Sequence, residues 1–186
     1  ISVKMITGDY AETALAIAGQ VELNHNREVL TGQEVLHLTK EELQEKVQRI
    51  NIYARMFPEA KLKVIDALRE NGEVVAMTGD GVNDGPALKA AHIGIAMGQR
   101  GSEVAKSAAS LLLTDDDLAH MTEAVALGRK IYDNLKKAIQ YIVSIHIPII
   151  LIVTLPLLML WKFTEIFTPV HVIFLELIMG PTCSII

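Results

Sequence analysis

Two Thr-Gly-Asp segments contain the residues of this sequence that are best suited to chemistry. The second opens the run TGDGVND at 78–84, which places two carboxylates, Asp80 and Asp84, and the amide of Asn83 in one loop with two glycines. Glycines permit tight turns and a close approach of the backbone to a ligand. Carboxylate and amide oxygens suit Mg²⁺, which usually keeps several waters and bridges to a phosphate. An exposed Asp-Gly turn would look similar over two or three residues, so the length of the run is what predicts a magnesium and phosphate site.

The first segment, Thr7-Gly8-Asp9, and a lysine at the start of a predicted helix, Lys61, complete the expected site. Thr7 is placed to hydrogen-bond phosphoryl oxygens, and Lys61 to bring a positive charge to the same group. Together they would stabilise the charge on a phosphoryl group in transit. For Asp9 a second role stays open, because an aspartate after a strand can cap the helix that follows.

The elements that position these residues follow from apolar runs that show no polar alternation. Such runs occupy residues 3–6, 74–77, 93–97 and 110–113. Helices are predicted between them, at 11–21, at 40–49 after a capping box of Thr39 and Glu42, and from Pro58 onward with a stripe of Leu62, Ile65 and Leu68. This order predicts an α/β fold with a Rossmann-like parallel sheet covered on both faces. Ligands of such sheets bind beyond the carboxyl ends of the strands, where both Thr-Gly-Asp segments fall.

The longer motifs identify a family resemblance. TGDGVNDGPALKAAHIGIAMG at 78–98 closely resembles the hinge signature of P-type ATPases, whose cytoplasmic phosphorylation domain belongs to the haloacid dehalogenase superfamily. MITGD at 5–9 resembles the second phosphate-contacting motif, and ARMFPEAKLKVI at 54–65 resembles the lysine motif. Residues 105–141 resemble the last strand and the stalk that leads into the fifth membrane helix. Gly85 stands where the family usually has alanine.

The resemblance implies a role for each site residue. Asp80 would bind Mg²⁺ together with Asp84, and Asn83 would help Asp84 to hold the loop and the phosphate. The remaining positions would contact the aspartyl phosphate or form the metal-binding loop, and they are Thr7, Gly8, Asp9, Lys61, Thr78, Gly79 and Gly81. ATP, the substrate, would be bound mainly by a nucleotide-binding domain missing from this chain, and an actuator domain would be a further partner.

One motif of the family is absent from the sequence. The nucleophilic aspartate lies in an Asp-Lys-Thr-Gly motif, which does not occur in these 186 residues. In the family it lies upstream, before a large nucleotide-binding insertion. The resemblance therefore implies a piece of a longer enzyme, with both termini cut, that is inactive alone.

The last third of the sequence predicts membrane helices. Residues 138–161 contain no charged side chain and are long enough to cross a bilayer, which takes roughly 20 residues. Arg129, Lys130, Lys136 and Lys137 precede this span, and the excess of positive charge places the preceding domain in the cytoplasm. We expect a phosphorylation domain at 1–117, a stalk helix continuous with the first span at 118–137, and a transmembrane hairpin at 138–186 with a turn at 162–168. We therefore expect a multi-pass membrane protein that lies in the plasma membrane of a bacterium.

Two residues of the predicted hairpin are candidates for the transported cation. Glu176 is ionisable at membrane depth, and His146 lies near Pro148 in the first span. The chain resembles the calcium-pump branch of the family, particularly its bacterial members. Ca²⁺ is therefore the first candidate for the transported cation. That branch usually has an acidic residue where this chain has Pro148 or Ile149, and an Asn and an Asp where it has Glu176 and Gly180. Glu176 has an alternative as a protonated or interfacial residue, and Pro148 alone can account for the polarity around His146.

Composition limits the remaining possibilities. The formal net charge is −5 with no run of Lys or Arg, which argues against a nucleic-acid partner. One cysteine cannot form an internal disulfide. The leading hypothesis is an ATP-driven cation pump that works through an aspartyl phosphate. A membrane-tethered phosphatase of the same superfamily and a non-catalytic remnant that binds phosphate or Mg²⁺ stay as alternatives.

Overall fold

The structure is a computed structural model that describes residues 1–23, 27–160 and 168–183. It divides into two compact units, residues 1–118 and residues 119–186. The first unit has its own buried core and contains both Thr-Gly-Asp segments.

The first unit contains two three-stranded sheets in which every pairing is parallel. One sheet has the order β1-β3-β2 and the other the order β4-β5-β6. The strands are Met5–Ile6 (β1), Val29–Thr31 (β2), Ile52–Ala54 (β3), Ala76–Gly79 (β4), Ile93–Met97 (β5) and Leu111–Leu113 (β6). The prediction of an α/β fold with parallel strands is confirmed, whereas the single sheet is present as two sheets in the described residues.

Helices connect the strands, as parallel pairing requires. They are Ala11–Gln20 (α1), Gly32–His37 (α2), Lys40–Arg49 (α3), Pro58–Glu70 (α4), Gly85–Ala90 (α5) and Glu103–Ala108 (α6), with a 3₁₀ turn at Val82–Asp84. The predicted capping box of α3 is confirmed, since the Thr39 hydroxyl accepts from the Glu42 amide and the Glu42 carboxylate accepts from the Thr39 amide. A second capping box, Thr31 with Glu34, opens α2.

The main core lies on one face of α4. Val64 and Ile65 are buried there and pack in one cluster with Leu43 and Tyr53. Full burial of such an aliphatic side chain contributes about 1.5–3 kcal/mol. Leu62, which was predicted to share the buried stripe with Ile65 and Leu68, is only half-buried and lines an open groove against α2.

A smaller core joins α1 to the first sheet. Ala14 and Ala18 are fully buried and pack with Ile52 and Ala54 of β3. Because alanine has the smallest apolar side chain, the helix can lie close to the strand. This contact holds α1 directly behind the first Thr-Gly-Asp segment, from which the helix begins.

Strand β4 begins later than the predicted run at 74–77 and includes Thr78 and Gly79, which were expected in the loop. The pairing with β5 sets these limits, because it begins at Ala76 opposite Ile93 and ends at Gly79 opposite Ala96. Strands β2 and β3 were not predicted, since three residues are too few to show a periodic pattern.

The second unit contains two described helices, Ala119–Leu158 (α7) and Pro169–Cys183 (α8). The predicted continuity of the stalk with the first span is confirmed, since α7 is a single helix that continues through Pro148 and Pro156. Within the described ranges α7 is also the one helix long and apolar enough to cross a bilayer, with a mean hydropathy of 2.3 in its apolar part.

The predicted hairpin is not confirmed by the described residues. Helix α8 has 15 residues, fewer than the roughly 20 needed to cross a bilayer. Most of the predicted turn falls on residues 161–167, which lie outside the described residues, as do residues 184–186 of the predicted second span.

Candidate active site

Asp84 is the buried acidic residue of the loop after β4. Its Oδ1 lies 2.6 Å from Lys61 Nζ, and its Oδ2 accepts a hydrogen bond of 3.2 Å from the Gly81 amide. The Asp84 amide in turn donates to the Gly81 carbonyl at 3.1 Å, which closes the 3₁₀ turn. Both carboxylate oxygens are therefore fixed by partners from two different elements.

The local sequence of α4 explains how Lys61 reaches this loop. Pro58 occupies the first helical turn, where its lack of an N–H costs nothing, and the Lys61 amide donates to the Phe57 carbonyl. The Lys61 side chain is 15% exposed and that of Asp84 is 10% exposed. In such surroundings each charge depends on the other, because an unpaired charge pays the full cost of desolvation.

Gly79 leaves the space that Asp84 occupies. A Cβ atom at Gly79 would lie 2.7 Å from Asp84 Cβ and 2.9 Å from its Cγ. Glycine is required here for close approach and not for an unusual backbone angle, because Gly79 is not among the residues with positive φ. The residue that ends β4 thus permits the buried position of Asp84.

Asp80 differs from Asp84 in its exposure. Its backbone carbonyl accepts a 2.8 Å hydrogen bond from the Ser102 amide. Its side chain is exposed, and among the described residues its carboxylate has no hydrogen-bond or ion-pair partner. Thr78 and Asn83 are also exposed. Asp80 is therefore the carboxylate of this loop that can receive a cation.

These residues suit Mg²⁺ better than a cation that needs many protein ligands. Within the described part of the chain, no group of three or more His, Cys, Asp or Glu side chains is placed to hold a metal. Mg²⁺ usually takes one or two carboxylates and completes its shell with water and substrate phosphate. Asp80 fits that demand, and Asp84 has both of its oxygens already bonded.

The first Thr-Gly-Asp segment forms a hydrogen-bonded turn after β1. The Thr7 hydroxyl lies 3.1 Å from Asp9 Oδ2, and the Asp9 amide donates to the same hydroxyl at 3.1 Å. The backbone of the turn is tied to the loop after β3, because the Arg55 amide donates to the Asp9 carbonyl and the Met56 amide to the Thr7 carbonyl. Gly8 is exposed between Thr7 and Asp9.

The alternative role of Asp9 as a helix cap is not observed. The N-cap residue of α1 is Tyr10, and no side chain caps this helix end. The Asp9 carboxylate contacts Thr7 instead. Asp9 is therefore part of the turn and not of the helix cap.

Arg55 and Tyr10 are site neighbours that sequence reasoning missed. The Arg55 guanidinium lies 4.5 Å from the centroid of the Tyr10 ring, a cation–π contact that keeps a positive charge beside the turn. Arg55 has a φ of 50°, in the left-handed region. Neither feature has a signal in the sequence, since the two residues lie in separate motifs and arginine gives no hint of a left-handed backbone.

The loop at 55–57 joins the two groups of site residues along the chain. Its first residues bond the Thr7–Asp9 turn, and α4 follows at once with Lys61 in its first turn. The structure therefore brings Lys61 to Asp84, and it connects both to Thr7 through a short and hydrogen-bonded stretch.

The two candidate ligands of the transported cation lie in the second unit. His146 is an exposed residue of α7 whose Nδ1 donates to the Ile142 carbonyl at 2.8 Å, one turn earlier. Glu176 lies in α8, and its side chain is outside the described residues.

Comparison with known proteins gives one family profile and many relatives. The profile of haloacid dehalogenase-like hydrolases matches residues 1–92. "Calcium-transporting ATPase 1" of Lactococcus lactis is 46% identical over 175 residues, which are 94% of this chain and 20% of the relative. "Probable cation-transporting ATPase F" of Mycobacterium tuberculosis is 53% identical over 146 residues, 76% of this chain and 16% of the relative. Human "Calcium-transporting ATPase type 2C member 2" is 47% identical over 156 residues, 83% of this chain and 16% of the relative.

A solved structure agrees with these relatives. The crystal structure of a zinc-transporting PIB-type ATPase in an E2·Pi state superposes with a TM-score of 0.61 at 31% identity. The match covers 82% of this chain and 20% of that chain. The chain therefore spans about a fifth of the length of the proteins it matches.

Proposed function

The chain belongs to the P-type cation-transporting ATPases, and on that premise we propose that it supplies the Mg²⁺ and phosphate contacts of an ATP-driven cation pump. The reaction is transfer of the ATP γ-phosphoryl group to an aspartate, followed by hydrolysis of the aspartyl phosphate. The observation that carries this proposal is the pairing of Lys61 with Asp84, which unites the lysine motif and the hinge motif at the carboxyl end of β4.

Lys61 stabilises the phosphoryl group in this proposal. Its ammonium is held by Asp84 in one place, so no reorganisation is needed when negative charge arrives. Asp84 fixes the position of Lys61 through the ion pair, and it fixes the 3₁₀ turn through the Gly81 amide. Asn83, exposed on that turn, lies on the same loop and provides an amide for the phosphate.

Asp80 holds Mg²⁺ in this proposal, with Asp84 in the same loop. Bound Mg²⁺ neutralises charge on the phosphoryl oxygens. The protein fixes the Asp80 backbone through the Ser102 amide and leaves the carboxylate open to solvent. Thr78, Gly79 and Gly81 shape the loop around that carboxylate.

The Thr7–Asp9 turn contacts the same phosphoryl group. The Thr7 hydroxyl can donate to a phosphoryl oxygen once it leaves Asp9, at the cost of one exposed hydrogen bond. The exposed Gly8 amide offers a further donor without a side chain in the way. Asp9 returns the hydroxyl to its resting position when the phosphate leaves.

The nucleophilic aspartate reaches the site on a strand outside this chain. Among the described residues β1 and β4 each pair with one strand only, and both are followed by a Thr-Gly-Asp segment. The residues that lead into these strands are apolar but exposed, with Val3 at 61% and Val74 at 79%. An added strand that pairs with either open edge would cover them and end beside the site.

The second unit carries the transport function in this proposal. Helix α7 crosses the membrane with the first unit on the cytoplasmic side, α8 belongs to a second span of a multi-pass protein, and the membrane is the bacterial plasma membrane. The transported cation is Ca²⁺, since two of the relatives above are named as calcium-transporting. Glu176 and His146 are its candidate ligands.

Movement at the site reaches the membrane through α7 in this proposal. The helix begins at Ala119, directly after the first unit, and runs without interruption to Leu158. A proline removes one helical hydrogen bond and clashes with the preceding turn. Ile131→Pro in the full-length pump should therefore uncouple ATP hydrolysis from transport, and fully coupled transport in this variant would contradict the role of α7.

The test of the proposed function is acid-stable phosphoenzyme formed from labelled ATP by the full-length protein, with a panel of cations and a chelator. Labelling that requires Ca²⁺ supports a calcium pump. Labelling that requires another cation keeps the pump and rejects Ca²⁺. A full-length protein that hydrolyses phosphate esters without cation dependence would be the membrane-tethered phosphatase, and one that binds phosphate without turnover would be the remnant.

A further inference from the structure

Asp116 connects the loop after β5 to the segment that precedes α7. Its Oδ1 accepts a 3.0 Å hydrogen bond from the Gln99 amide, and its Oδ2 accepts a 2.9 Å bond from the Arg100 amide and a 3.2 Å bond from Arg100 Nε. The Asp116 side chain is 4% exposed, although the Arg100 side chain is 76% exposed. Two backbone donors therefore hold a carboxylate that is largely shielded from water.

The backbone around Asp116 is shaped for this contact. Asp116 has a φ of 59°, in the left-handed region, and its amide donates to the Leu113 carbonyl. A left-handed backbone costs a residue other than glycine of order 1 kcal/mol, and it persists where surrounding contacts fix it. The three hydrogen bonds of the carboxylate provide such contacts.

The other end of the same loop touches the candidate active site. Loop 98–102 runs from the end of β5 to the N-cap of α6, and its last residue, Ser102, donates its amide to the Asp80 carbonyl at 2.8 Å. Within the loop, the Gly101 amide donates to the Met97 carbonyl. Asp116 and Asp80 thus hold opposite ends of one short loop.

We propose that Asp116 is a positioning residue for the Asp80 loop: it fixes loop 98–102, and the Ser102 amide then fixes the backbone that carries the Asp80 carboxylate. Asp116 lies three residues before Ala119, where α7 begins. This proposal rests on the assignment of Asp80 to Mg²⁺. Its consequence is that removal of Asp116 weakens Mg²⁺ binding although Asp116 does not touch the ion.

Asp116→Asn is the first test. Asparagine offers one oxygen in place of two, so its NH₂ group would face one of the two backbone amides of the loop. In the full-length pump we expect the Mg²⁺ concentration for half-maximal ATPase activity to rise about tenfold, as is typical for the loss of an outer contact of a metal site. The rate at saturating Mg²⁺ should stay within about threefold, because the groups that contact the phosphate are intact.

Two controls separate the backbone contact from charge. Glu103→Gln removes one negative charge at a side chain that is 91% exposed at the start of α6, and it should leave the Mg²⁺ dependence unchanged. Arg100→Ala removes the exposed guanidinium but keeps the Arg100 amide, so its effect should be smaller than that of Asp116→Asn. An equal effect of Arg100→Ala would show that the ion pair, and not the backbone contact, positions the loop, and it would overturn the proposal.

A second variant tests the other end of the loop if Asp116→Asn does not fold. Ser102 has a φ of −65°, which is the angle that proline requires, so Ser102→Pro removes the amide donor to Asp80 with little backbone strain. It also removes the hydroxyl that caps α6 by accepting from the Ala105 amide, and Ser102→Ala is the matched control for that loss. Ser102→Pro should raise the Mg²⁺ requirement, and Ser102→Ala should not.

Amide hydrogen exchange of the full-length protein gives a readout that does not depend on turnover. Asp116→Asn should increase exchange at the Gln99, Arg100 and Ser102 amides, and Glu103→Gln should not. Unchanged exchange at Ser102, or an unchanged Mg²⁺ requirement in Asp116→Asn and Ser102→Pro, would overturn the proposal. A wild-type protein without Mg²⁺-dependent turnover would contradict the proposed function and leave the exchange experiment to decide on Asp116 alone.

Discussion

Lys61 Nζ lies 2.6 Å from Asp84 Oδ1, and this ion pair joins the first turn of α4 to the 3₁₀ turn after β4. The two residues are 23 positions apart, and strand β4 lies between them in the sequence. Because both side chains are largely buried, the pair sets the position of a positive charge at the carboxyl end of the second sheet. The proposed phosphate site depends on this position of the Lys61 charge.

The first prediction concerns the loss of protein stability when one partner of this ion pair is removed. Lys61→Met should destabilise the protein by about 3–5 kcal/mol, since it leaves the Asp84 carboxylate buried without a counter-charge. The double variant Lys61→Met, Asp84→Asn should recover most of that loss, because it buries no charge. Thermal unfolding of the single and double variants measures the coupling, and a double variant as unstable as the sum of both single variants would show that the pair is not coupled.

Gly79→Ala is the second prediction. The new Cβ would lie 2.7 Å from Asp84 Cβ, so Asp84 must shift, which disturbs its bond to Lys61. We expect a loss of about 1–3 kcal/mol, as is typical of overpacking, and a loss of phosphoryl-transfer activity.

Gly19→Ala is the matched control for Gly79→Ala. Gly19 lies in α1, and nothing lies within 4 Å of a Cβ placed there. Alanine is better in a helix by roughly 0.5–1 kcal/mol, so this variant should be slightly more stable with unchanged activity. Opposite signs for the two variants in thermal unfolding would support the steric argument, and equal signs would contradict it.

The sequence was sufficient to predict those parts of the fold that depend on local rules. The capping box of Thr39 and Glu42 and the start of α4 at Pro58 are set by residues within one turn of the helix, and both are as predicted. The carboxyl-end position of both Thr-Gly-Asp segments follows from parallel pairing, which the apolar runs indicated.

Contacts between distant residues could not be predicted in the same way. The shift of β4 depends on its pairing with β5, and the stacking of Arg55 on Tyr10 depends on two loops that meet only in the folded chain. The contact between Ser102 and Asp80 is made by backbone atoms, which carry no residue signature. Residue type thus predicted which groups are at the site, and not how they are supported.

The third prediction concerns pH. Hydrogen bonds from the Gln99 amide, the Arg100 amide and the Arg100 guanidinium hold the pKa of the Asp116 carboxyl below its usual value, against the opposing effect of desolvation. A carboxyl with a lowered pKa in the folded state stabilises the fold above its unfolded-state pKa of about 3.9, and this stabilisation is lost as the pH falls through the folded-state pKa.

The melting temperatures of the wild type and of Asp116→Asn measure this effect. Their difference should be constant above about pH 5 and should shrink below about pH 4, where the wild-type carboxyl takes up a proton and resembles the variant. A difference that stays constant down to pH 3 would show that Asp116 does not titrate with folding.

Asp80→Asn is the fourth prediction, and it separates the metal site from the ion site. Asp80 is exposed, and its carboxylate has no partner among the described residues. The substitution should therefore leave the melting temperature within about 1 °C. Mg²⁺-dependent turnover of the full-length protein should fall at least about a hundredfold, because the metal ligand is lost. Asp66→Asn is the matched control, because Asp66 is a half-exposed carboxylate of α4 with a long 3.7 Å ion pair to Arg69.

Glu176→Gln, by contrast, should lower the affinity for the transported cation without removing phosphorylation from inorganic phosphate. If Asp80→Asn keeps its turnover, Asp80 is not the metal ligand; if Glu176→Gln keeps its cation dependence, Glu176 is not part of the ion site.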